Sequence, residues 1–307
     1  MTKVGRNKLR NMCAAAAIVA GLCSTAPAAQ AVPASNCGGW QADTVASGLQ
    51  QLENLAPDGH RGFYVSGESR LYHIDEAGQV RTVLDDLPVP RGLQVDGTDL
   101  YLATGRDGAV SRYDIPTGHI TTLATMTVPN GLLRLPDGDI LTTWVGTDIG
   151  VPDTGVSRYH HDTATVEPNW SPVPRSEGLA LSPDHQFVYT DDLFTGQIIR
   201  IPLASPDRWT VAATIPGGPP GLDDLTMSRS GDLYAAAHLA GLIYRVDPDT
   251  ATMCTIDTGL PAGWDGPSSV RIAPDGDHWA LYVTGFDGTL RRLRPPADTD
   301  LKPVLTP

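Results

Sequence analysis

The stretch RSEGLALSPDHQFVYTDD, residues 175–192, decides the fold. Leu179 and Leu181 alternate with small residues, Pro183-Asp184 breaks the run, and Phe187-Val188-Tyr189 begins another. Two short apolar runs split by such a turn are a hairpin signature. Glu177 stands out, because an ionisable side chain sits where the first buried strand begins.

Relatives of the turn SPDH run along the chain: APDG at 56, QVDG at 94, LPDG at 135, SRSG at 228 and APDG at 273. Each follows one short apolar run and precedes a second, such as GFYVS, LYLAT, ILTTW, LYAAA or LYVTG. A third run follows (RLYHID, AVSRYD, GVSRYH, QIIRIP, LIYRVD, TLRRLR), and most units close with a fourth, such as VRTVL, ITTLA or TMCTI. Four strands per unit, in six units spaced 38 to 47 residues apart, describe an all-β fold. The expectation is a six-bladed β-propeller of four-stranded blades. The sixth unit is interrupted at Pro295-Pro296, while DTVASG at 43–48 resembles the fourth strands elsewhere. This N-terminal strand is therefore expected to close blade six, with the tail LKPVLTP as its competitor.

The first ten residues carry Lys3, Arg6, Lys8 and Arg10, followed by the apolar run MCAAAAIVAGLC and by Ala29-Gln30-Ala31. That order is the pattern of a secretory signal peptide. The expected layout is a signal over residues 1–31 and a single propeller domain over 32–307, secreted after cleavage at Ala31-Val32. The apolar run is too short to span a bilayer. Losing those 31 residues takes the 22 basic residues to 18 against 35 acidic, a net charge of −17. Such a surface repels nucleic acid and anionic membranes. Lys302 becomes the one lysine left, in the tail, which excludes a Schiff-base lysine in the core.

Cys13 and Cys23 leave with the signal. Cys37 and Cys254 remain, an even pair in an oxidising compartment, and a disulfide is the expected state. It would pin the approach of the N-terminal strand to the outer strand of blade five. A catalytic thiol is the alternative.

Aligned on their first strands, the units read ENL at 53, RGL at 91, NGL at 130, EGL at 177, DDL at 223 and SSV at 268. In a propeller these strands run the same way along the central channel. Glu53, Arg91, Asn130, Glu177, Asp223 and Ser268 therefore form one ring at one end of it. Three carboxylates about 5 Å apart, at an effective dielectric near 20, repel by roughly 3 kcal/mol per pair. Arg91 offsets part of that, and a divalent cation would offset the rest. A ring of oxygen donors without Cys or His suits a hard ion. A plug of salt bridges and water, with Arg91 satisfying an acid, is the plainer reading.

Loops between second and third strands share that face and offer Glu68, Arg106, Asp107, Trp144, Asp148, Asp191, Asp192, Phe194, His238, Phe286 and Asp287. The longest, WVGTDIGVPDTG from Trp144 to Gly155, could form a lid. His160 and His161 read as exposed strand residues. No G-x-S-x-G elbow, HExxH, P-loop or dinucleotide fingerprint occurs.

Over residues 45–293 the chain resembles the gluconolactonase and regucalcin-like propellers, with paraoxonases and strictosidine synthases more distant. The resemblance is clearest in SEGLALSPDHQFVYTDDLFTGQIIRI and LDDLTMSRSGDLYAAAHLAGLIYRVDP. It implies a divalent metal held by Glu53 from blade one and Asp223 from blade five, with Asn130 from blade three at or near it. The family's fourth-blade asparagine is Glu177 here, in SEGL rather than SNGL, and Glu53-Asn54-Leu55 stands where Glu-Gly-Pro is usual.

The leading expectation is a secreted metal-dependent hydrolase of a lactone or related ester. Its small-molecule substrate would meet a monomer with one divalent ion, Ca²⁺ foremost and Mg²⁺, Mn²⁺ or Zn²⁺ as substitutes. Asp223 would be the base, as the resemblance implies, with Glu177 its rival and also a ligand. Arg91, Trp144, Asp192, His238 and Ser268 would contact substrate. Two rivals stand beside it: a metal-free cyclase or condensing enzyme using Glu177, and a non-catalytic binding propeller.

Overall fold

The computed structural model describes residues 34–144 and 155–305. Alternating apolar positions bounded by Gly, Pro and Asp turns give short strands, and the strands form six antiparallel meanders. Blade one holds β3 (Leu52–Pro57), β4 (Phe63–Gly67), β5 (Leu71–Ile74) and β6 (Val80–Leu84). Blade two holds β7 (Pro90–Asp96), β8 (Asp99–Thr104), β9 (Ala109–Asp114) and β10 (His119–Thr125). Blade three holds β11 (Leu132–Arg134), β12 (Ile140–Trp144), β13 (Gly155–His160) and β14 (Thr165–Ser171). Blade four holds β15 (Ala180–Leu181), β16 (Phe187–Asp192), β17 (Gln197–Pro202) and β18 (Thr210–Thr214). Blade five runs from β19 (Leu222–Met227) through β20 (Leu233–Ala237) and β21 (Leu242–Asp247) to β22 (Thr252–Ile256). Blade six contributes β23 (Pro267–Asp275), β24 (His278–Gly285) and β25 (Thr289–Arg294). The expected six-bladed, four-stranded architecture is the one observed.

The fourth strand of blade six is N-terminal, as expected. β2 (Gln41–Ala46) pairs antiparallel with β25, Gln41 opposite Arg294. Asp43 locks this closure by accepting from Arg292 and Arg294 at 2.6 and 2.7 Å, and the same guanidiniums hold Asp275. Upstream, β1 (Ser35–Asn36) lies parallel to β22, and Cys37 is joined to Cys254 of that strand. The tail does not compete for the closing position. It crosses the far end of the channel instead, where Lys302 O accepts from Arg229 N and Leu301 is buried.

Blade faces pack on one another through Leu, Val, Ile, Ala and Tyr, and the clusters are contiguous from blade to blade. The inner strands share one phase. Ala56, Gln94, Leu133, Ala180, Thr226 and Arg271, each three residues beyond a ring position, all line one cavity of about 110 Å³ beneath the tail. Among the described residues no helix is long and apolar enough to cross a membrane.

Candidate active site at the mouth of the channel

Local backbone geometry explains how six first strands present polar side chains in one ring. In blades one, five and six the ladder between first and second strands slips by one residue, and the extra residue is Glu53, Asp223 or Ser268. A β-bulge bends the strand and re-aims the unpaired side chain. Blade two slips at Arg91-Gly92. In blades three and four the strands begin only at Leu132 and Ala180, so Asn130 and Glu177 lie on the approach.

The glycine after the ring residue in blades two to four is required by crowding. A Cβ on Gly92 would lie 2.5 Å from Asn130 O, one on Gly131 2.1 Å from Glu177 O, and one on Gly178 2.6 Å from Asp224 Cα. Each blade thus seats its glycine against the backbone of the next. Hydroxyls stitch the same seams: Ser66 Oγ donates to Arg91 O at 2.7 Å, and Thr143 Oγ1 to Glu177 O at 2.5 Å.

Around the ring, each acid has taken a neighbour. Arg91 Nη1 donates to Glu53 Oε1 at 3.3 Å, the Asn130 amide donates to Glu177 Oε2, and His238 Nδ1 approaches Asp223 Oδ2 to 3.2 Å. That last approach is within ion-pair distance but not aligned as a hydrogen bond, since Nδ1 has no hydrogen-bonded partner. Burial drives the Glu53 carboxyl up to about 7, Arg91 opposing and Asp223 reinforcing the effect. Glu177 lies well above the carboxylate range, by burial first and then by the charge of Asp223. Asp223 is raised by burial, against the opposing pull of His238. Desolvation and like charge both disfavour the ionised form.

Behind Glu177 lies Asp191, fully buried, accepting from the N–H of Glu177 at 3.1 Å and of Gly178 at 3.0 Å through Oδ1. Its Oδ2 has no partner, and burial pushes the carboxyl up to about 7. Beneath the ring a second network fills the channel. Asp224 Oδ2 accepts from Asn54 Nδ2 at 3.1 Å and from Ser269 and Arg271. The sequence reading did not single out this layer. Its signal was the polar doublets Glu53-Asn54, Asp223-Asp224 and Ser268-Ser269, where the other blades carry glycine second.

Other expected contacts are engaged in the fold. Ser268 Oγ donates to Leu52 O at 2.7 Å and pairs with Thr284, so it latches blade six to blade one rather than facing the mouth. Asp191 and Asp192 end strand β16 instead of standing in an open loop. Asp192 is held by Arg175 through both oxygens and accepts from the N–H of Phe194 and Thr195. Asp107 and Asp287 likewise cap their own turns. Trp144 is buried, and its Nε1 has no partner among the described residues. The proposed lid, with Asp148, falls outside the described residues. His238 does sit at the mouth, stacked on Trp264 and edge-on to Phe286. His160, expected as an exposed strand residue, is half-buried and bonded to Asp139 and Glu167, away from the ring.

A divalent ion is the group this ring invites. Its donor chemistry fits, being three mutually repelling carboxylates and an amide, all oxygen. Among the described residues, however, no three His, Cys, Asp or Glu side chains are gathered tightly enough to hold one. The reason is visible in the pairings above, which turn each acid toward a neighbour. Binding would have to draw Glu53 from Arg91 and Glu177 from Asn130.

Fold and mouth together define a six-bladed propeller with an acidic, partly desolvated pocket at one end of its channel. The SMP-30/gluconolactonase/LRE-like family model matches residues 68–285, and the chain belongs to that family. No curated protein sequence matches it. Among solved structures it is similar to a gluconolactonase from Xanthomonas campestris, with TM-score 0.72 and 21% identity over 85% of this chain and 91% of that one. It is also similar to a calcium-binding regucalcin from Agrobacterium tumefaciens strain C58, with TM-score 0.69 and 16% identity over 85% and 95%. A luciferin-regenerating enzyme gives TM-score 0.68 and 14% identity over 87% and 99%.

Proposed function

We propose that this protein is a divalent-metal-dependent hydrolase of a lactone or related ester. The observation that carries the proposal is the convergence of Glu53, Glu177 and Asp223 from three blades on one mouth, where burial raises all three and the charge of Asp223 adds to the rise of Glu53 and Glu177. Membership of a gluconolactonase-like family supports the same reading.

Glu53, Asn130, Glu177 and Asp223 would hold the ion. When bound, it supplies a Lewis acid for the acyl oxygen and a more acidic water. Asp223 takes the proton of the attacking water, and its position beside His238 Nδ1 lets that ring steady the charge. Arg91, with Nε free of partners, turns its guanidinium toward the developing oxyanion once Glu53 is drawn away. Glu177 stands where the family has a neutral amide, and ionised beside a cation it would add a negative charge and tighten binding. The N-terminal signal pattern and the Cys37–Cys254 disulfide support export, and the family supports a small-molecule substrate.

Elemental mass spectrometry of protein dialysed without chelator tests the proposal, alongside a Glu177→Gln variant and a lactone panel. About one equivalent of a divalent ion, lower in the variant, with chelator-sensitive turnover, is expected. Absence of both bound metal and any thermal shift on adding one would overturn it and leave a metal-free proton-transfer site or a binding propeller.

A further inference from the structure

Below the ring and the Asn54–Asp224–Ser269 network, the channel widens into the cavity of about 110 Å³ at its far end. A second ring surrounds this chamber, one residue from each blade: Ala56, Gln94, Leu133, Ala180, Thr226 and Arg271. Two alanines and a threonine in that ring leave the axis unfilled. The rest of the wall is apolar.

The floor is the C-terminal tail. Lys302 O accepts from Arg229 N at 2.7 Å, Pro303 bridges Ser228, and Pro303, Val304 and Leu305 line the chamber. Val304 and Leu305 are partly buried and pack on the apolar clusters of blades three to five. A molecule from solvent enters by displacing these two side chains, with no blade strand to unpair.

Polar groups around the chamber are few, and most are engaged. Gln94 Oε1 accepts from Arg134 N at 2.7 Å, and its Nε2 donates to Arg134 O at 3.2 Å. Arg271 is the one ionisable residue of the lining. Its Nη1 donates to Asp224 and to Val270 O at 2.8 Å, and its Nη2 to Asn54 Oδ1 at 3.3 Å. The charge of Arg271 is thus matched by Asp224. Thr226 Oγ1 and Arg271 Nε are left without a hydrogen-bonded partner among the described residues.

Water fills such a space poorly, since each molecule needs roughly two to four polar partners. An apolar cavity of about 150 Å³ admits benzene, so this one admits a molecule of about five or six heavy atoms. A carboxylate would be desolvated beside a cation already held by Asp224, and an ammonium would meet the like charge of Arg271. A neutral molecule with one hydroxyl or carbonyl escapes both costs.

We propose that this chamber is a second binding site, separate from the mouth, for a small neutral amphiphile, a compact aliphatic alcohol or ketone. Its hydrocarbon part lies among Ala56, Leu133 and Ala180, and its oxygen meets Thr226 Oγ1 and Arg271 Nε. Occupancy does not depend on the chemistry of the ring.

Cyclopentanol is the probe, observed by saturation-transfer NMR with wild type and three variants, each first checked for native circular dichroism. Ala180→Met fills the chamber, Thr226→Val removes the hydroxyl at nearly constant volume, and Phe194→Ala alters the opposite end, at the mouth. Should Ala180→Met fail to fold, Thr226→Val, which leaves the packing intact, still decides the matter. Saturation of the ring protons is expected in wild type, abolished in Ala180→Met and unchanged in Phe194→Ala. Affinity should fall about fivefold in Thr226→Val, the loss of one hydrogen bond. Cyclopentanecarboxylate, the same ring carrying a charge, is expected to show no saturation. The site is overturned by absence of saturation in wild type, by its loss in Phe194→Ala, or by its full retention in Ala180→Met or Thr226→Val. Equal saturation by the carboxylate overturns the neutral class and the proposal with it.

Discussion

One carboxylate oxygen of Asp191 holds two consecutive backbone N–H groups, those of Glu177 and Gly178. The ring acid of blade four is thus positioned from behind by a buried acid of the same blade. An asparagine can keep both bonds through its carbonyl oxygen, whereas a leucine leaves two buried donors unpaired. Asp191→Leu is expected to destabilise the protein by about 2 to 5 kcal/mol. Asp191→Asn should be far milder, and urea unfolding of the two variants checks the contrast.

Two acids, Asp191 fully buried and Glu53 half-buried, set an unusual pH dependence. Glu53 and Asp191 are pushed up to about 7, well above their unfolded values. The native state then holds more protons than the unfolded chain between roughly pH 4 and 7, so stability falls as pH rises through that window and levels off above it. Each such group contributes about 1.4 kcal/mol per pH unit at most. Asp139, Asp192 and Asp287, lowered in the folded state, act the other way, and their contribution is lost below roughly pH 4. In chelator, Tm should peak at roughly pH 4 by this argument and decline from there toward pH 7. Asp191→Asn should flatten the decline toward pH 8, and a Tm that rises from pH 5 to 8 would refute the burial effect.

Gly131 has no left-handed backbone, yet a Cβ there would collide with Glu177 O at 2.1 Å. Gly97 has φ of 60° but open space around it. Gly131→Ala should therefore cost several kcal/mol through the seam between blades three and four, and Gly97→Ala only about 1 kcal/mol through backbone strain. Guanidinium denaturation of both variants measures the difference.

Ser268→Ala removes the donor that latches blade six to Leu52 of blade one. A drop of about 1 to 2 kcal/mol in stability is expected, with KM for any turned-over lactone unaltered. A raised KM at unchanged stability would restore Ser268 as a substrate contact.

The Cys37–Cys254 bridge closes a loop of 217 residues in sequence separation. On the chain-entropy account such a loop contributes about 5 kcal/mol against the unfolded state. The Cys37→Ser, Cys254→Ser double variant should show a lower urea midpoint by that margin while keeping its β-rich circular dichroism.

What could be read before any coordinates was what repeats. The turn SPDH and its five relatives, APDG twice, QVDG, LPDG and SRSG, fixed blade number and strand phase, and the alignment of Glu53, Arg91, Asn130, Glu177, Asp223 and Ser268 located the mouth. What could not be read is what each side chain does once there. A bulge at Glu53 and Asp223 depends on pairing with the neighbouring strand, which no single segment encodes. The pairings of Glu53 with Arg91 and of Asp192 with Arg175 are choices among near neighbours, decided by packing. Asp224, bonded to Asn54, Ser269 and Arg271 from three segments, was hidden for the same reason.

The closure of blade six by β2 has a consequence for timing. Until Arg294 has been made and has met Gln41, strand β25 offers an unpaired edge, and blades five and one have no shared wall between them. Every shorter chain is an open arc, able to recruit a strand from another molecule. Completion of the ring thus waits on residues 289–294, and the Cys37–Cys254 bridge on the neighbouring blade tethers the approach to β2 whether or not that closure has occurred. A chain stalled before residue 290 would be a polymerisation hazard rather than a smaller propeller.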